Sequence, residues 1–438
     1  MTDALDRFST GDVLVGVIGL GYVGLPLSAA LVDAGLRVLG FDIDPAKVDR
    51  LKRGETYLTH LGADLAARLN ASGRFDATSD VTRMREPDAL IICVPTPLTG
   101  DRQPDLSYVE STGRDIARAL RPGQLVVLES TSYPGTTREV LLPILETSGL
   151  RCGTPDGFFL AFSPEREDPG RADHSTRTIP KLVGGVDDQS TRLAAALYRR
   201  AIDTVIDVAS AEVAEAAKIL ENTYRAVNIA LVNEMKVLLT AMGIDVWEVI
   251  AAASTKPFGF QPFTPGPGLG GHCIPIDPYY LSFKARQVGL STRFVELAGD
   301  INHAMPGYVV DRLIDELTRR SRPITGARVL VLGLAYKPDI DDVRESPAFE
   351  IIRLLQDRGA SVDYSDPHVP RTHAGRRHDL GMTSVPLTPA SIAAYDACVI
   401  VTAHRAFDYR LIADHARLVV DTRNACGTLG PRPNIIKA

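Results

Sequence analysis

"VLVGVIGLGYVGLPLSAALVDAGLRVLGFDID", residues 13–44, carries the pattern from which the fold is read. The apolar run from Val13 to Ile18 reads as a buried strand. Gly19, Gly21 and Gly24 then stand as G-x-G-x-x-G, with Tyr22 and Val23 between the last two. A helix follows to about Ala34, and a second apolar strand, "RVLGFD", ends at Asp42. Residues 13–32 are twenty residues without a charge, long enough to cross a bilayer. Gly16, Gly19, Gly21, Gly24 and Pro26 make a poor continuous helix, and no lysine-rich segment precedes them. Strand, turn, helix is the better parse. Each glycine then has a purpose. Gly19 allows a tight turn, Gly21 lets a pyrophosphate approach the backbone, and Gly24 lets helix and strand pack closely. The helix N-terminus offers N–H groups to the phosphates. Asp42, 23 residues after Gly19, is placed to accept hydrogen bonds from a ribose 2′-hydroxyl and to repel a 2′-phosphate, which predicts NAD rather than NADP.

Outward from this unit the α/β pattern continues. "ALIICVPTP" (89–97) and "QLVVLEST" (124–131) read as buried strands around a helix in "DLSYVESTGRDIARAL". Ligands bind at the carboxyl ends of such strands, so Pro95, Thr96, Ser130 and Thr131 fall on the functional edge. "ARVLVLGLAYKPDIDDVRESPAFEIIRLLQDRGASVDYSDP" (327–367) restarts the pattern. There the fingerprint fails, with Ala335 and Pro338 at the second and third glycine positions, so a second α/β domain with another ligand is expected. Lys337 and Arg344 near its loop suit phosphate. Between the two, residues 209–242 are helical by periodicity, with Val213, Ala217, Leu220, Tyr224, Val227, Leu231, Met235 and Leu238 in one apolar stripe. A helix of ~30 residues spans ~45 Å, which predicts a spine between two domains and a dimer contact. Lys218 and Asn222 lie away from that stripe, on what reads as a solvated face.

The chain has 438 residues, a formal charge of −6 and a pI near 5.9. Without basic runs, this argues against nucleic-acid or membrane-surface roles. Its five cysteines form no C-x-x-C pair, so neither a metal site nor a disulfide framework is expected, and a reducing, cytoplasmic setting follows. Cys93 and Cys398 sit within strands as core residues. Cys273 differs. It stands in "GPGLGGHCIPIDPYYL" (266–281), a Gly/Pro-rich loop with aromatic neighbours. A thiol beside an NAD site suggests covalent oxidation of a carbonyl, with free backbone N–H groups lowering its pKa.

These residues resemble the UDP-glucose/GDP-mannose dehydrogenase family, the nucleotide-sugar 6-dehydrogenases, over nearly the whole length. The motifs that carry the resemblance are "GVIGLGYVGLPLS", "VPTP", "ESTSYPGTT", "SPERE", "AEAAKILENTYRAVNIALVNE", "GGHCIPIDP" and "GLAYKPDIDDVRES". "PGPGLGGHCIPIDPYYL" is most similar to the branch acting on UDP-N-acetylhexosamines, because Ile276 stands where the UDP-glucose branch usually has lysine. The resemblance implies a four-electron oxidation of a UDP-sugar at C6 with NAD. In that reading Cys273 is the nucleophile, and Lys218 and Asn222 stabilise the oxyanion. Asp277 and Thr131 position water, and Glu165 is the hydrolytic base. It also implies Gly19, Gly21, Tyr22, Val23, Gly24, Asp42, Pro95, Thr96, Ser130, Thr131 and Arg344 at the cofactor. Glu165, Lys218, Asn222, Gly270 and Lys337 are implied at the substrate. Pro169 replaces a second family glutamate, so that glutamate's role is not carried over; Glu167 and His272 are further candidates. The expected architecture is two Rossmann-like doubly wound domains joined by the long helix: 1–205 for NAD, 206–315 central, 316–438 for UDP, in a homodimer. The rivals are the same chemistry on UDP-N-acetylmannosamine, UDP-N-acetylgalactosamine, UDP-glucose or GDP-mannose, a non-catalytic NAD-binding regulator, and a β-hydroxyacid dehydrogenase.

Overall fold

A computed structural model of the chain describes all residues except 1, 59–60, 102, 155, 167–175, 272 and 373–379. It divides into two compact units, residues 1–221 with 279–291, and 222–278 with 292–438.

The first unit is built on eight strands: β1 Leu14–Ile18, β2 Arg37–Phe41, β3 Phe75–Thr78, β4 Ala89–Ile92, β5 Leu125–Leu128, β6 Phe159–Phe162, β7 Lys181–Gly185 and β8 Val205–Asp207. Their order is β3-β2-β1-β4-β5-β6-β7-β8. The pairs from β3 through β6 are parallel; β7 runs antiparallel to β6 and parallel to β8. β4 and β5, "ALII" and "LVVL", are buried at every position, as befits strands covered by helices on both faces. The order reverses between β1 and β4, which places the switch-point crevice beside the glycine loop.

The second unit carries β9 Arg328–Leu332, β10 Ser361–Ser365, β11 Ala397–Ile400, β12 Val419–Asp421 and β13 Ile435–Lys437, in the order β10-β9-β11-β12-β13. All its pairs are parallel. This is the other common doubly wound order, and it obeys the same crevice rule. The expected pair of doubly wound α/β domains is therefore present.

The long helix runs Ala211–Ala241, 31 residues, but the face carrying Lys218, which the spacing reads as solvated, is the buried one. Leu220, Leu231 and Leu238 of the apolar stripe are exposed by 67%, 53% and 52%, while Glu215, Lys218, Asn233 and Lys236 are buried. Periodicity identifies a stripe but not the side on which the protein body lies. Here the inner face is taken by residues that hydrogen-bond to loops. A second correction concerns Cys273, which was read as a loop residue. It is the first residue of a helix, Cys273–Gln287. Pro275, in the first turn, is where a missing N–H costs nothing, so the proline that suggested a loop is compatible with the helix start. Among the described residues, no helix is long and apolar enough to cross a membrane.

Candidate active site

The glycine loop fits a dinucleotide. Gly19 has φ +94°, and a Cβ there would lie 2.6 Å from the Cys93 carbonyl oxygen. A Cβ on Gly24 would lie 1.9 Å from the Gly19 carbonyl oxygen, so the helix Gly24–Asp33 packs where only glycine fits. A Cβ on Gly21 would meet nothing within 4 Å, which leaves open the approach a pyrophosphate needs. Asp42 ends β2 with its carboxylate accepting from the Leu20 N–H at 3.1 Å and the Asp44 N–H at 3.0 Å. A carboxylate has about four acceptor positions, so two remain for a ribose. Thr96 and Ser130 are buried, and Ser130 Oγ donates to the Val94 carbonyl at 2.7 Å. This ties the loop after β5 to the loop after β4. Pro95 is exposed and Thr131 half-buried at the same strand ends.

In the first unit Lys218 is buried, and its Nζ donates to the backbone carbonyl of Glu165. The neighbouring Arg166 pairs with Glu221, its Nε 3.2 Å from Oε2. The "SPER" turn is thus fastened to the long helix at two points. Glu215, three residues before Lys218, is fully buried. It accepts from Gly135 N–H (2.6 Å), Thr137 N–H (2.9 Å), Thr137 Oγ1 (2.7 Å) and Ser132 Oγ (3.3 Å). Burial pushes its carboxyl up to about 7 against those hydrogen bonds. It secures the segment that follows Thr131. Beneath the same turn, Lys181 on β7 pairs with Glu129, and Tyr198 donates to Glu129 at 2.6 Å. Sequence reasoning missed Glu215, Glu129 and Lys181. A lysine in the otherwise apolar strand "KLVGG" was the available signal, because an unpaired buried charge is costly.

In the second unit the long helix and the cysteine helix meet. Asn222 Nδ2 donates to the Asp277 carboxylate, which is fully buried. Asp277 lies one helical turn after the start of that helix at Cys273. Ahead of the cysteine, Gly271 has φ +82° and donates its N–H to the Arg344 carbonyl at 2.9 Å. A Cβ on Gly270 would lie 2.6 Å from Tyr336 Cβ. The loop before Cys273 therefore lies flat on the loop that carries half-buried Lys337 and exposed Arg344. The Arg344 guanidinium grips Asp342, with Nη2 2.6 Å from Oδ2. His272, Glu167, Pro169 and the Cys273 side chain lie outside the described residues. Farther along the cysteine helix, within the first unit, Tyr280 is buried and donates to the Thr96 carbonyl at 3.0 Å.

A thiol at a helix N-terminus is favoured as thiolate, because the unpaired N–H groups and the dipole stabilise negative charge. A buried lysine beside a carboxylate-bearing turn suits a developing oxyanion. The comparisons with known proteins agree with these elements. Three family models match in sequence: the NAD-binding domain of the UDP-glucose/GDP-mannose dehydrogenase family over residues 13–202, its central domain over 212–304 and its UDP-binding domain over 330–428. The chain is 38% identical over 400 residues to a UDP-N-acetyl-D-glucosamine 6-dehydrogenase of Pseudomonas aeruginosa, covering 90% of this chain and 92% of that protein. It is 35% identical over 417 residues to a UDP-N-acetyl-D-mannosamine dehydrogenase of Pyrococcus horikoshii, covering 94% and 95%. A solved structure of the Pyrococcus horikoshii UDP-N-acetylmannosamine dehydrogenase superposes with a TM-score of 0.87 at 33% identity, covering 97% and 98% of the two chains. With a fitting glycine loop, an acid at the end of β2, and matches that run through both units, the chain belongs to the UDP-glucose/GDP-mannose dehydrogenase family of NAD-dependent oxidoreductases.

Proposed function

We propose that the protein oxidises C6 of a UDP-N-acetylhexosamine, with UDP-N-acetylglucosamine preferred, to the uronic acid through a thiohemiacetal and a thioester on Cys273. The observation that carries this reading is the start of the cysteine helix, with Asp277 one turn on and bound to Asn222. NAD, when bound, would supply the hydride acceptor, one NAD for each of two oxidations, with NADH exchanged for fresh NAD between them. In the first, the C6 alcohol loses a proton and a hydride and becomes the aldehyde, with Lys218 and Asn222 opposing the alkoxide charge. The Cys273 thiolate then adds to the aldehyde carbon, and the resulting oxyanion occupies the same donors. Loss of the second hydride leaves a thioester. Water, positioned by Asp277 and Thr131 and deprotonated by Glu165, attacks it and releases the carboxylate and the thiol. Gly19, Gly21, Tyr22, Val23, Gly24, Asp42, Pro95, Thr96, Ser130 and Arg344 hold the cofactor, and Gly270 and Lys337 the substrate.

The N-acetylhexosamine class is supported by Ile276, and the glucosamine preference within it by the name of the Pseudomonas relative. The relatives also include mannosamine and galactosaminuronate enzymes, so the test is NADH formation across UDP-N-acetylglucosamine, UDP-N-acetylmannosamine, UDP-N-acetylgalactosamine, UDP-glucose and GDP-mannose. Two NADH per sugar are expected from the first. One NADH with a released aldehyde would remove the covalent route, and so would a Cys273→Ser protein with near-normal turnover.

The exposed stripe of Leu220, Tyr224, Leu231, Leu238 and Met242 supports a homodimer through the long helix, because apolar residues at four- and seven-residue steps suit helix pairing. Sedimentation of a Leu231→Asp, Leu238→Asp double variant should show the monomer. The free thiols of Cys93, Cys152, Cys398 and Cys426 support a reducing, cytoplasmic setting. The division at 1–205, 206–315 and 316–438 remains part of this proposal.

A further inference from the structure

Glu215 is a fully buried acid on the long helix that no step above uses. It stands three residues before Lys218 and so on the same side of that helix. Its carboxylate collects donors from a segment 78 to 83 residues earlier in the chain. Oε1 accepts from Thr137 N–H (2.9 Å), Thr137 Oγ1 (2.7 Å) and Ser132 Oγ (3.3 Å), and Oε2 accepts from Gly135 N–H (2.6 Å). The bonds inside the segment are short in range. Thr136 N–H and Oγ1 both reach the Tyr133 carbonyl, at 3.0 and 2.7 Å, and Glu139 N–H reaches the Gly135 carbonyl at 2.7 Å. Gly135 turns there with φ +101°, where the chain has more backbone freedom than an ordinary residue would leave it. The segment starts directly after Thr131. One side chain therefore joins the helical turn that carries Lys218 to the strand end that carries Thr131, two groups whose separation the proposed reaction must fix.

These partners favour the ionised carboxylate. Gly135 and Thr137 offer backbone N–H groups, which only donate. A neutral carboxyl would bring its own O–H among them, with the Ser132 and Thr137 hydroxyls left to accept it. Burial pushes the carboxyl up to about 7, and the Thr137 and Gly135 bonds pull it back. Bonds that lower the proton affinity of a carboxyl are in turn strengthened when it ionises. Among the described residues, the charged and titratable groups around this contact are Glu212 and Lys218 on the long helix, Tyr133, Arg138 and Glu139 on the segment, and Lys284 on the cysteine helix. Glu212 adds to the rise in Glu215 and pairs with Arg138 at 2.6 Å. Glu139 pairs with Lys284 at 2.6 Å. Lys218 donates to the Glu165 carbonyl. Burial, with the Glu139 and Glu215 charges, pushes the Tyr133 hydroxyl up. Arg138 and Lys284 are thus matched by other acids, and the four donors oppose burial at Glu215.

We propose that Glu215 is a positioning residue: its carboxylate holds the segment after Thr131 against the Lys218 turn, and its protonation loosens that hold and slows hydrolysis of the thioester. This rests on the reading above, in which Thr131 helps to place the water. Two pH effects of opposite sign follow. The hold on the segment is complete when Glu215 is ionised and weakens as the pH falls through about 7. For the fold as a whole the sign reverses. The folded value lies above the ordinary 4.5, so the contribution of this group to global stability is full below 4.5 and is lost as the pH rises through about 7. Acidification from about pH 8 to about pH 6 therefore favours the fold while freeing the segment.

Hydrogen exchange of the peptide containing Gly135 and Thr137, read by mass spectrometry on the full-length protein and corrected for intrinsic rates, tests the hold directly. In the wild type its protection should fall about tenfold between about pH 8 and about pH 6, the lower end for a hydrogen bond to a charged group. In Glu215→Gln, which cannot ionise, protection should be low and flat over that range. At about pH 8 the kcat of Glu215→Gln should be about tenfold below wild type, with KM for NAD and for the sugar within about twofold. The acidic limb of kcat near 7 should be gone, and a sugar-sized adduct should build up on Cys273. Wild-type protection that stays level or rises on acidification would overturn the proposal. So would a kcat in Glu215→Gln within about threefold of wild type, well under one such bond. Segment protection and the urea midpoint of wild type relative to Glu215→Gln should move in opposite directions with pH; movement together marks a merely structural carboxylate and overturns it too. If Glu215→Gln does not fold, the wild-type exchange decides. A wild type that oxidises UDP-sugars but fails these tests removes only the role of Glu215. A wild type that oxidises no UDP-sugar removes the functional reading itself, whatever the exchange shows.

Discussion

Both sheets open with a strand, a glycine of positive φ and an aspartate at the end of the next strand, yet the two aspartates are bonded differently. Gly19 has φ +94° with its Cβ position 2.6 Å from the Cys93 carbonyl oxygen, and Gly333 has φ +87° with its Cβ position 2.5 Å from the Thr402 carbonyl oxygen. In each case the chain turns under a neighbouring strand where a side chain cannot fit. Beyond that point they part. The first loop enters its helix at Gly24, whereas the second reaches its helix only at Pro347, capped by Ser346. Asp42 accepts from two backbone N–H groups, with Lys47 3.6 Å away. Asp366 accepts from five donors: Leu334 N–H (2.6 Å), Ala335 N–H (3.0 Å), His368 N–H (2.8 Å), Val369 N–H (3.0 Å) and His404 Nε2 (3.0 Å). His404 Nδ1 accepts from Asp339 N–H at 2.9 Å, so Nε2 carries the proton. With about four acceptor positions on a carboxylate, Asp366 has nothing left for a ribose. The same place in the fold keeps acceptor positions open in one domain and is a saturated structural node in the other. Spare lone pairs, rather than position, make the difference.

The largest effect expected from this contrast is that of Asp366→Ala. Five donors lose a buried acceptor, and a loss of about 3–5 kcal/mol of stability is expected, read as the urea midpoint, with NAD affinity per folded molecule unchanged. The pH dependence has a definite sign. Burial would raise the Asp366 carboxyl, but the His404 ring and the backbone N–H groups of Ala335 and His368 hold it below 3.8. Its contribution is therefore complete above that value and is lost as the pH falls through the lower folded value. Asp366→Ala should lose less stability on acidification than the wild type.

Gly24→Ala comes next. Its Cβ would collide with a backbone carbonyl at 1.9 Å, so the helix must shift, at a cost of about 1–3 kcal/mol and with weaker NAD binding. Thermal melting with and without NAD would show both effects. Asp42→Ala orphans two N–H groups and should cost about 1 kcal/mol. Its clearer sign is cofactor choice, with the preference for NAD over NADP falling about tenfold, as for one lost charged hydrogen bond. If the preference stayed intact, the contrast between Asp42 and Asp366 would lose its functional half. Gly21→Ala should have the smallest effect on folding, within about 0.5 kcal/mol, because its Cβ meets nothing within 4 Å. NAD affinity should still fall, since that space is where the pyrophosphate is expected. Unchanged NAD affinity would show that the open space is not used.

Much of this was legible in the sequence because it is local. A glycine spacing, an acid at a strand end and a run such as "QLVVLEST" report on neighbours within a few residues. The observed strands and the helix Gly24–Asp33 fall within a residue or two of expectation. Lys218 and Asn222 were visible as an i, i+4 pair, but their surroundings read as solvent. In the structure Lys218 is buried, and Asn222 holds Asp277. Glu215, Glu129 and Lys181 were missed because each acts on a segment dozens of residues away.

The sequence by itself determined which chain segments become strands and helices, where the glycine loop turns, and that a thiol stands in a Gly/Pro setting, since steric limits and periodicity act within a few residues. Only the tertiary structure decided which face of the long helix is inward, that Cys273 begins a helix, that Asp366 is saturated while Asp42 is not, and that Lys236 is buried near Arg423. Each of those depends on which distant groups converge, and burial and hydrogen-bond partners are set by that convergence rather than by spacing along the chain.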